Sequence, residues 1–125
     1  MVIIRLFNKI YKKMNIDTTT KATIIKDSNV TSLLDQHAVV LLDFWAPWCP
    51  PCKAITPTID LLASEYPKGV GVGKVDIDQN KSIAEKYRIT SIPTLVFLKN
   101  SEEKERLVGV HSMEAIKKIL NSLLQ

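Results

Sequence analysis

The chain has 125 residues, 46% of them hydrophobic, and a net charge of +4, which suits one domain with a substantial core. No apolar run approaches the roughly 18 residues needed to span a membrane, and two cysteines are too few for a disulfide-stapled secreted scaffold. Residues 1 to 21 carry the whole charge excess and residues 22 to 125 are balanced, which argues against a nucleic-acid-binding face.

The first 16 residues are basic and amphipathic and contain no acidic residue. Three interpretations stand: a loosely packed extension or an upstream start with true initiation at Met14, an organellar presequence, and a helix on a membrane surface. A secretory signal is not expected, because Arg5 and Lys9 interrupt any apolar stretch. We therefore predict an N-terminal extension at residues 1 to 21 and a domain at residues 22 to 125.

Strand and helix patterns then alternate. Residues 23 to 25 predict a short strand, and residues 38 to 45 predict an apolar strand buried on both faces by helices. The helix predicted from about Pro50 to Tyr66 has one apolar face. The residues predicted to face inward on this helix are Ala54, Ile55, Ile59, Leu62 and Ala63.

The second half of the chain predicts a strand, a short helix, a hairpin and a last helix. Ser82 and Glu85 have capping-box spacing at the start of the short helix, and Ser112 can cap the last helix. Residues 99 to 102 should turn the chain between two antiparallel strands. The order of the elements predicts an α/β fold with a central mixed sheet of about five strands flanked by about four helices.

Both cysteines lie in residues 43 to 53, DFWAPWCPPCK, where a strand gives way to a helix. Two thiols at Cys-x-x-Cys spacing can close a small disulfide ring and open it again. Cys49 lies at the helix start, where free backbone N–H groups stabilise a thiolate. Cys49 is therefore predicted to be the exposed nucleophile, and Cys52 the cysteine that resolves the mixed disulfide.

Two other interpretations of the cysteines compete with this one. The pair could be a permanent disulfide or two inert thiols. A zinc site would need four ligands, and only His37 and His111 could join the cysteines, without ligand-like spacing. We expect no metal.

Asp43 is a carboxylic acid in an otherwise apolar strand. Burial without a partner is costly for a carboxylate and raises its pKa. The alternative is that Asp43 ends the strand and meets solvent, but Phe44 and Trp45 continue the apolar run.

Four separated segments, residues 43 to 53, 72 to 78, 91 to 94 and 107 to 110, resemble the thioredoxin family in order and spacing. The resemblance covers about residues 22 to 125. It implies the thioredoxin fold and a protein-disulfide reductase that works through Cys49 and Cys52, with no cofactor beyond their redox-active disulfide.

The resemblance implies roles for further residues. Asp43 would pass protons to and from Cys52, with Lys74 nearby, and Pro93 would follow a cis peptide bond and face the cysteines. It also implies an apolar substrate-binding surface around the nucleophile. The residues of that surface are Trp48, Pro50, Pro51, Ile77, Ser91, Ile92, Pro93, Val108, Gly109 and Val110.

The chain departs from the family pattern at three places. Pro50 replaces the usual glycine, Pro47 replaces a commonly acidic residue, and Ser101 replaces the usual turn glycine, which leaves Asn100 best able to adopt a positive φ. Trp-Cys-Pro-Pro-Cys also occurs in tryparedoxin-like and nucleoredoxin-like proteins, so a dedicated thiol carrier for one partner, such as a peroxidase, is an alternative. A non-catalytic binding module is another.

The implied partners are disulfide-containing proteins and a flavin-dependent thioredoxin reductase that uses NADPH. The chain has no Gly-rich nucleotide loop, so it is not expected to bind nicotinamide or flavin itself. We expect a monomer that binds no nucleic acid. The expected location is cytoplasmic, with a mitochondrial or other organelle matrix as the alternative.

Overall fold

The structure is a computed structural model that describes residues 21 to 66 and 68 to 125. The predicted extension, apart from Lys21, lies outside the described residues. The elements are β1 (Thr23–Ile25), α1 (Val30–Gln36), β2 (Val39–Trp45), α2 (Pro50–Glu65), β3 (Val70–Asp76), α3 (Lys81–Lys86), β4 (Thr94–Lys99), β5 (Glu102–Val108) and α4 (Met113–Leu123).

The five strands form one mixed sheet in the order β1-β3-β2-β4-β5. Strand β2 occupies the centre, parallel to β3 and antiparallel to β4. The predicted α/β fold is therefore confirmed, including a hairpin and a helix at the end of the chain.

Alternate residues of the central strands pack into two separate hydrophobic cores, because neighbouring side chains of a strand point to opposite faces of the sheet. On one face, Val39 and Leu41 of β2 pack with α2 and α4. On the other face, Val40, Leu42 and Phe44 pack with α1 and α3. Burial on both faces explains why β2 is an almost unbroken apolar run.

Two predicted details of the helices are wrong. Ala54 is exposed, because it lies about 100° around the helix from Ile55, outside the face of α2 that buries Ile55 and Ile59. Helix α3 begins at Lys81 after Asn80, without the predicted capping box of Ser82 and Glu85. The Asn80 side chain bonds instead to the backbone of residues 27 and 76, joining the start of α3 to the turn after β1 and to the end of β3.

The other two predicted turn and cap features are confirmed. Ser112 accepts a hydrogen bond from the Ala115 N–H at the start of α4 (3.2 Å). Asn100 adopts a positive φ of 51° between β4 and β5, and Ser101 follows with 67°. Two consecutive residues with positive φ match the twist of a tight hairpin. Among the described residues, no helix is long and apolar enough to cross a membrane.

A side chain at Gly73 in β3 is predicted to destabilise the protein. A Cβ atom there would lie 2.5 Å from Ile25 Cγ1 and 2.9 Å from Leu33 Cδ2. Gly73→Ala should therefore lower the free energy of unfolding by about 1–3 kcal/mol through overpacking, measured by urea titration. Gly69→Ala is the matched control, since its Cβ would meet nothing closer than 3.7 Å. An equal loss in both variants would contradict the steric explanation.

Candidate active site

The site lies where β2 and β3 end at the same edge of the sheet. The Ile77 N–H donates to the Trp45 carbonyl (3.0 Å) and ties the two strand ends together. The chain then passes through Ala46 to Cys49 and enters α2. Ala46, Cys49 and Cys52 form a small buried cluster against which Ile77 and Ile92 pack.

Cys49 and Cys52 form a disulfide at the start of α2. Cys49 is the N-cap residue, and its Sγ accepts a hydrogen bond from the Cys52 N–H (3.3 Å). The two intervening residues, Pro50 and Pro51, have no N–H. The Cys52 N–H is therefore the first helix amide that can reach the Cys49 sulfur, and the Lys53 N–H already bonds the Cys49 carbonyl (3.2 Å).

The two cysteines differ in access. Cys49 is 5% exposed in the disulfide form and Cys52 is fully buried. Cys49 is thus the more accessible of the two, as predicted, but it is far less exposed than the sequence suggested. The reason is that Ile77 and Ile92 cover the pair.

Asp43 is fully buried, and neither carboxyl oxygen accepts a hydrogen bond from the residues that the structure describes. Asp43 lies two residues after Leu41 in β2, so its side chain points to the same face of the sheet as Val39 and Leu41. That face is covered by α2, the helix that carries the cysteines. Burial raises the pKa of Asp43 from its ordinary value of 3.8 to about 7, although the positive charge of Lys74 opposes the rise and Asp60 adds to it. The alternative that Asp43 meets solvent is therefore wrong.

Lys74 is the neighbour of Asp43 in the parallel register of β2 and β3. It is only 8% exposed. Its Nζ donates to Thr56 Oγ1 (3.3 Å) and lies 4.4 Å from the centre of the Trp45 ring. Thr56 was not predicted as a site residue. Its spacing of four residues from Cys52 puts both on the same side of the helix and would have indicated it.

The predicted substrate-binding residues occupy two kinds of position. Trp48, Val108 and Val110 are exposed, at 65%, 54% and 58%, and Ile77 and Ile92 are half-buried beside the cysteines. Trp48 directly precedes Cys49, and Val108 and Val110 flank Gly109, whose N–H reaches the Pro93 carbonyl next to Ile92. The predicted surface therefore draws exposed apolar side chains from separate segments of the chain.

Two contacts hold the rim of this surface in place. The indole N–H of Trp48 donates to Asp78 Oδ2 (2.7 Å), a contact that the sequence did not reveal because the two residues belong to different loops. The Gly109 N–H donates to the Pro93 carbonyl (2.8 Å), with Gly109 at φ 89°. The expectation of a cis Ile92–Pro93 bond is confirmed, and Ser91 is exposed beside it.

Among residues 21–66 and 68–125, no three His, Cys, Asp or Glu side chains group as metal ligands would. His37 Nδ1 lies 3.1 Å from the Leu33 carbonyl, and His111 Nε2 lies 2.9 Å from the Val108 carbonyl. Each histidine therefore contacts its own local backbone.

Comparisons with known proteins agree with this geometry. The family model described as Thioredoxin matches residues 21–122. The chain is 46% identical over 89 residues to a Spinacia oleracea protein named "Thioredoxin M-type, chloroplastic", covering 68% of this chain and 49% of that protein. It is 45% identical over 88 residues to "Thioredoxin" of Bacillus subtilis, covering 70% of this chain and 85% of that protein.

Solved structures agree as well. A mutant thioredoxin from Halobacterium salinarum superposes with a TM-score of 0.79 at 28% identity, covering 87% of this chain and 96% of that one. A Plasmodium falciparum thioredoxin superposes with a TM-score of 0.73 at 32% identity, covering 81% of this chain and 98% of that one.

A Cys-x-x-Cys disulfide at the start of a helix, on a mixed sheet of this topology, defines a thiol–disulfide oxidoreductase. With the matches in sequence and structure, the chain belongs to the thioredoxin family. Members of the family need no cofactor beyond the redox-active disulfide.

Removal of the Asp43 carboxyl should stabilise the protein at neutral and alkaline pH. Between about pH 4 and pH 7 the native carboxyl keeps a proton that the unfolded chain releases, so stability falls as pH rises. A shift of this size corresponds to about 4 kcal/mol. The free energy of unfolding of Asp43→Asn minus that of the wild type should therefore increase by about that amount between pH 4 and pH 8.

Denaturant titrations at several pH values measure this difference. Asp35→Asn removes an exposed carboxyl on α1 and serves as the control for the loss of one negative charge. A pH-independent gain in Asp43→Asn would contradict a titrating Asp43.

Proposed function

We propose that the protein is a general reductant of protein disulfides in which Cys49 attacks and Cys52 resolves. The observation that carries the assignment is the position of Cys49 Sγ, at the N-cap of α2 with the Cys52 N–H directed at it. A helix N-terminus favours negative charge, and the thiolate is the attacking form. The greater accessibility of Cys49 supports the same order.

The reaction is a two-electron exchange. The Cys49 thiolate attacks one sulfur of a target disulfide, the target S–S bond breaks, and a mixed disulfide forms as the other target sulfur leaves and takes a proton. Cys52 then loses its proton and attacks Cys49 Sγ. The second target sulfur leaves as a thiol, so the target is reduced and Cys49–Cys52 is oxidised.

Asp43 is proposed to take up the proton that Cys52 releases and to return it when the disulfide is reduced. A group exchanges protons most effectively when its pKa lies near the working pH. The carboxyl fits this requirement because burial brings its pKa to about 7. It also lies on the face of the sheet covered by α2.

Targets are proposed to bind on the apolar surface around Cys49. The exposed side chains of Trp48, Val108 and Val110 supply contact area. The Pro93 carbonyl already accepts from Gly109, so the backbone of Ile92, beside the proline, is the segment proposed to pair with an extended target. Pro50 and Pro51 complete the rim next to the nucleophile.

The proposed electron donor is a thioredoxin reductase that uses NADPH, and the proposed state is a monomer that works without a bound nucleotide. Family membership supports disulfide substrates and a thioredoxin reductase in general. A cytoplasmic location, with an organelle matrix as the alternative, stays a prediction.

Serine substitution of each cysteine should separate the two roles. Cys49→Ser should abolish reduction of insulin disulfides by NADPH and thioredoxin reductase, because no nucleophile remains. Cys52→Ser should accumulate a mixed disulfide through Cys49, detected by mass spectrometry under non-reducing conditions. Retained function in Cys49→Ser would favour a binding module, and trapping of a single peroxidase from a mixture of proteins would favour a dedicated carrier.

Pro50→Gly should raise the reduction potential of the Cys49–Cys52 pair. The substitution adds an N–H near the Cys49 sulfur and stabilises the reduced thiolate. A rise of about 30 mV corresponds to about 1.4 kcal/mol, close to one hydrogen bond to a charged group. Titration against a defined thiol buffer measures it. Pro47→Gly, outside the helix, is the control, and an unchanged potential in Pro50→Gly would indicate that Pro50 influences partners instead.

A further inference from the structure

The hydroxyl of Thr56 joins two parts of the site that are otherwise separate. It donates to the Cys52 carbonyl (3.2 Å) and accepts from Lys74 Nζ (3.3 Å). A hydroxyl has one proton to donate, so the bond to Cys52 uses it and leaves oxygen lone pairs for the ammonium. Thr56 thereby connects β3 to the first turn of α2.

Two groups near the buried Lys74 ammonium can accept a hydrogen bond from it, the Thr56 hydroxyl and the Asp43 carboxyl. Burial of a charge is costly without a partner, and Asp43, opposite Lys74 in the β2–β3 register, has two oxygens that accept no hydrogen bond among the described residues. The ammonium nevertheless lies against Thr56 Oγ1 and the face of the Trp45 ring. The hydroxyl therefore competes with the carboxylate for the cation.

We propose that Thr56 is a positioning residue that holds the Lys74 ammonium towards the Cys52 backbone and away from Asp43. The proposal rests on the proposed role of Asp43 as the proton carrier for Cys52. It adds that the basicity of this proton carrier is set by a side chain that forms no hydrogen bond with it.

The charged surroundings of Asp43 are few. Lys74 faces it from β3, and Asp60 acts on it from α2, where the Asp60 carboxylate also accepts from the Ala22 N–H (3.2 Å). From β4 the opposing residue is Leu95, which is apolar. Lys74 is therefore the one nearby cation in the described chain whose position can change how readily Asp43 ionises.

A cation drawn closer to a carboxylate lowers the carboxylate pKa, commonly by about 1–3 units. While Thr56 holds the ammonium, burial dominates and the pKa of Asp43 is about 7. Without the hydroxyl, the ammonium should turn to Asp43, and the carboxyl would remain ionised at neutral pH. It would then be a poorer acceptor for the Cys52 proton.

Thr56→Val tests the proposal, because it removes the hydroxyl while keeping the shape of the side chain. The pKa of the Asp43 carboxyl is measured by carbon NMR on the oxidised protein. We expect a fall of about one unit in Thr56→Val, and the same fall in Thr56→Ala, which is the better helix former. Thr56→Ser keeps the hydroxyl and should keep the wild-type value. An unchanged or higher pKa in the variants without the hydroxyl would overturn the proposal.

A second comparison shows whether Lys74 carries the effect. In a Lys74→Met background, Thr56→Val should leave the pKa of Asp43 unchanged, since no ammonium remains to be moved. A fall of equal size in that background would overturn the proposal. These measurements need neither target nor reductase, so their result is independent of whether Cys49→Ser loses reductase activity.

Discussion

The parallel pairing of β2 with β3 determines where the reactive groups lie, because parallel strands end at the same edge of a sheet. The register sets Asp43 beside Lys74 and Trp45 beside Asp76. A slip of one residue would turn Asp43 from the α2 face to the α1 face, and it would also turn the apolar side chains of β2 into the wrong cores. The packing on both faces of β2 therefore secures the register, and with it the approach of the buried acid to the helix that carries the cysteines.

The same packing makes burial of the Asp43 carboxyl unfavourable for stability. A carboxyl enclosed by Leu95, Lys74 and the inner side of α2 is poorly solvated, and this raises its proton affinity into the neutral range. An apolar residue at position 43 would suit the core better, so stability and the proposed proton transfer place opposite demands on it. The cost is confined to one residue of β2, because the cation opposite it is satisfied by Thr56 and the Trp45 ring.

The local sequence pattern was sufficient to predict the order of the elements and the role of the cysteine pair, because the apolar run of β2 and the Cys-x-x-Cys spacing are visible in consecutive residues. Ala54 was misplaced because one step from Ile55 turns a side chain about 100° around the helix, and Ser82 because the start of α3 is fixed by bonds of Asn80 to residues outside that helix. The bonds of Thr56 to Lys74 and of Trp48 to Asp78 escaped prediction for a different reason. Each joins residues distant in sequence, and only the assembled sheet brings them together.

Cys52 connects the cysteine pair to the buried charged residues through its backbone. Its N–H donates to the Cys49 sulfur, and its carbonyl accepts from Thr56, which holds the Lys74 ammonium. Because Pro50 and Pro51 offer no N–H of their own, the backbone bond from Cys52 is the direct polar link from helix α2 to the sulfur of Cys49 in this structure. The hydrogen-bonded path from the buried Lys74 cation to the Cys49 sulfur thus runs through two residues of α2, Thr56 and Cys52.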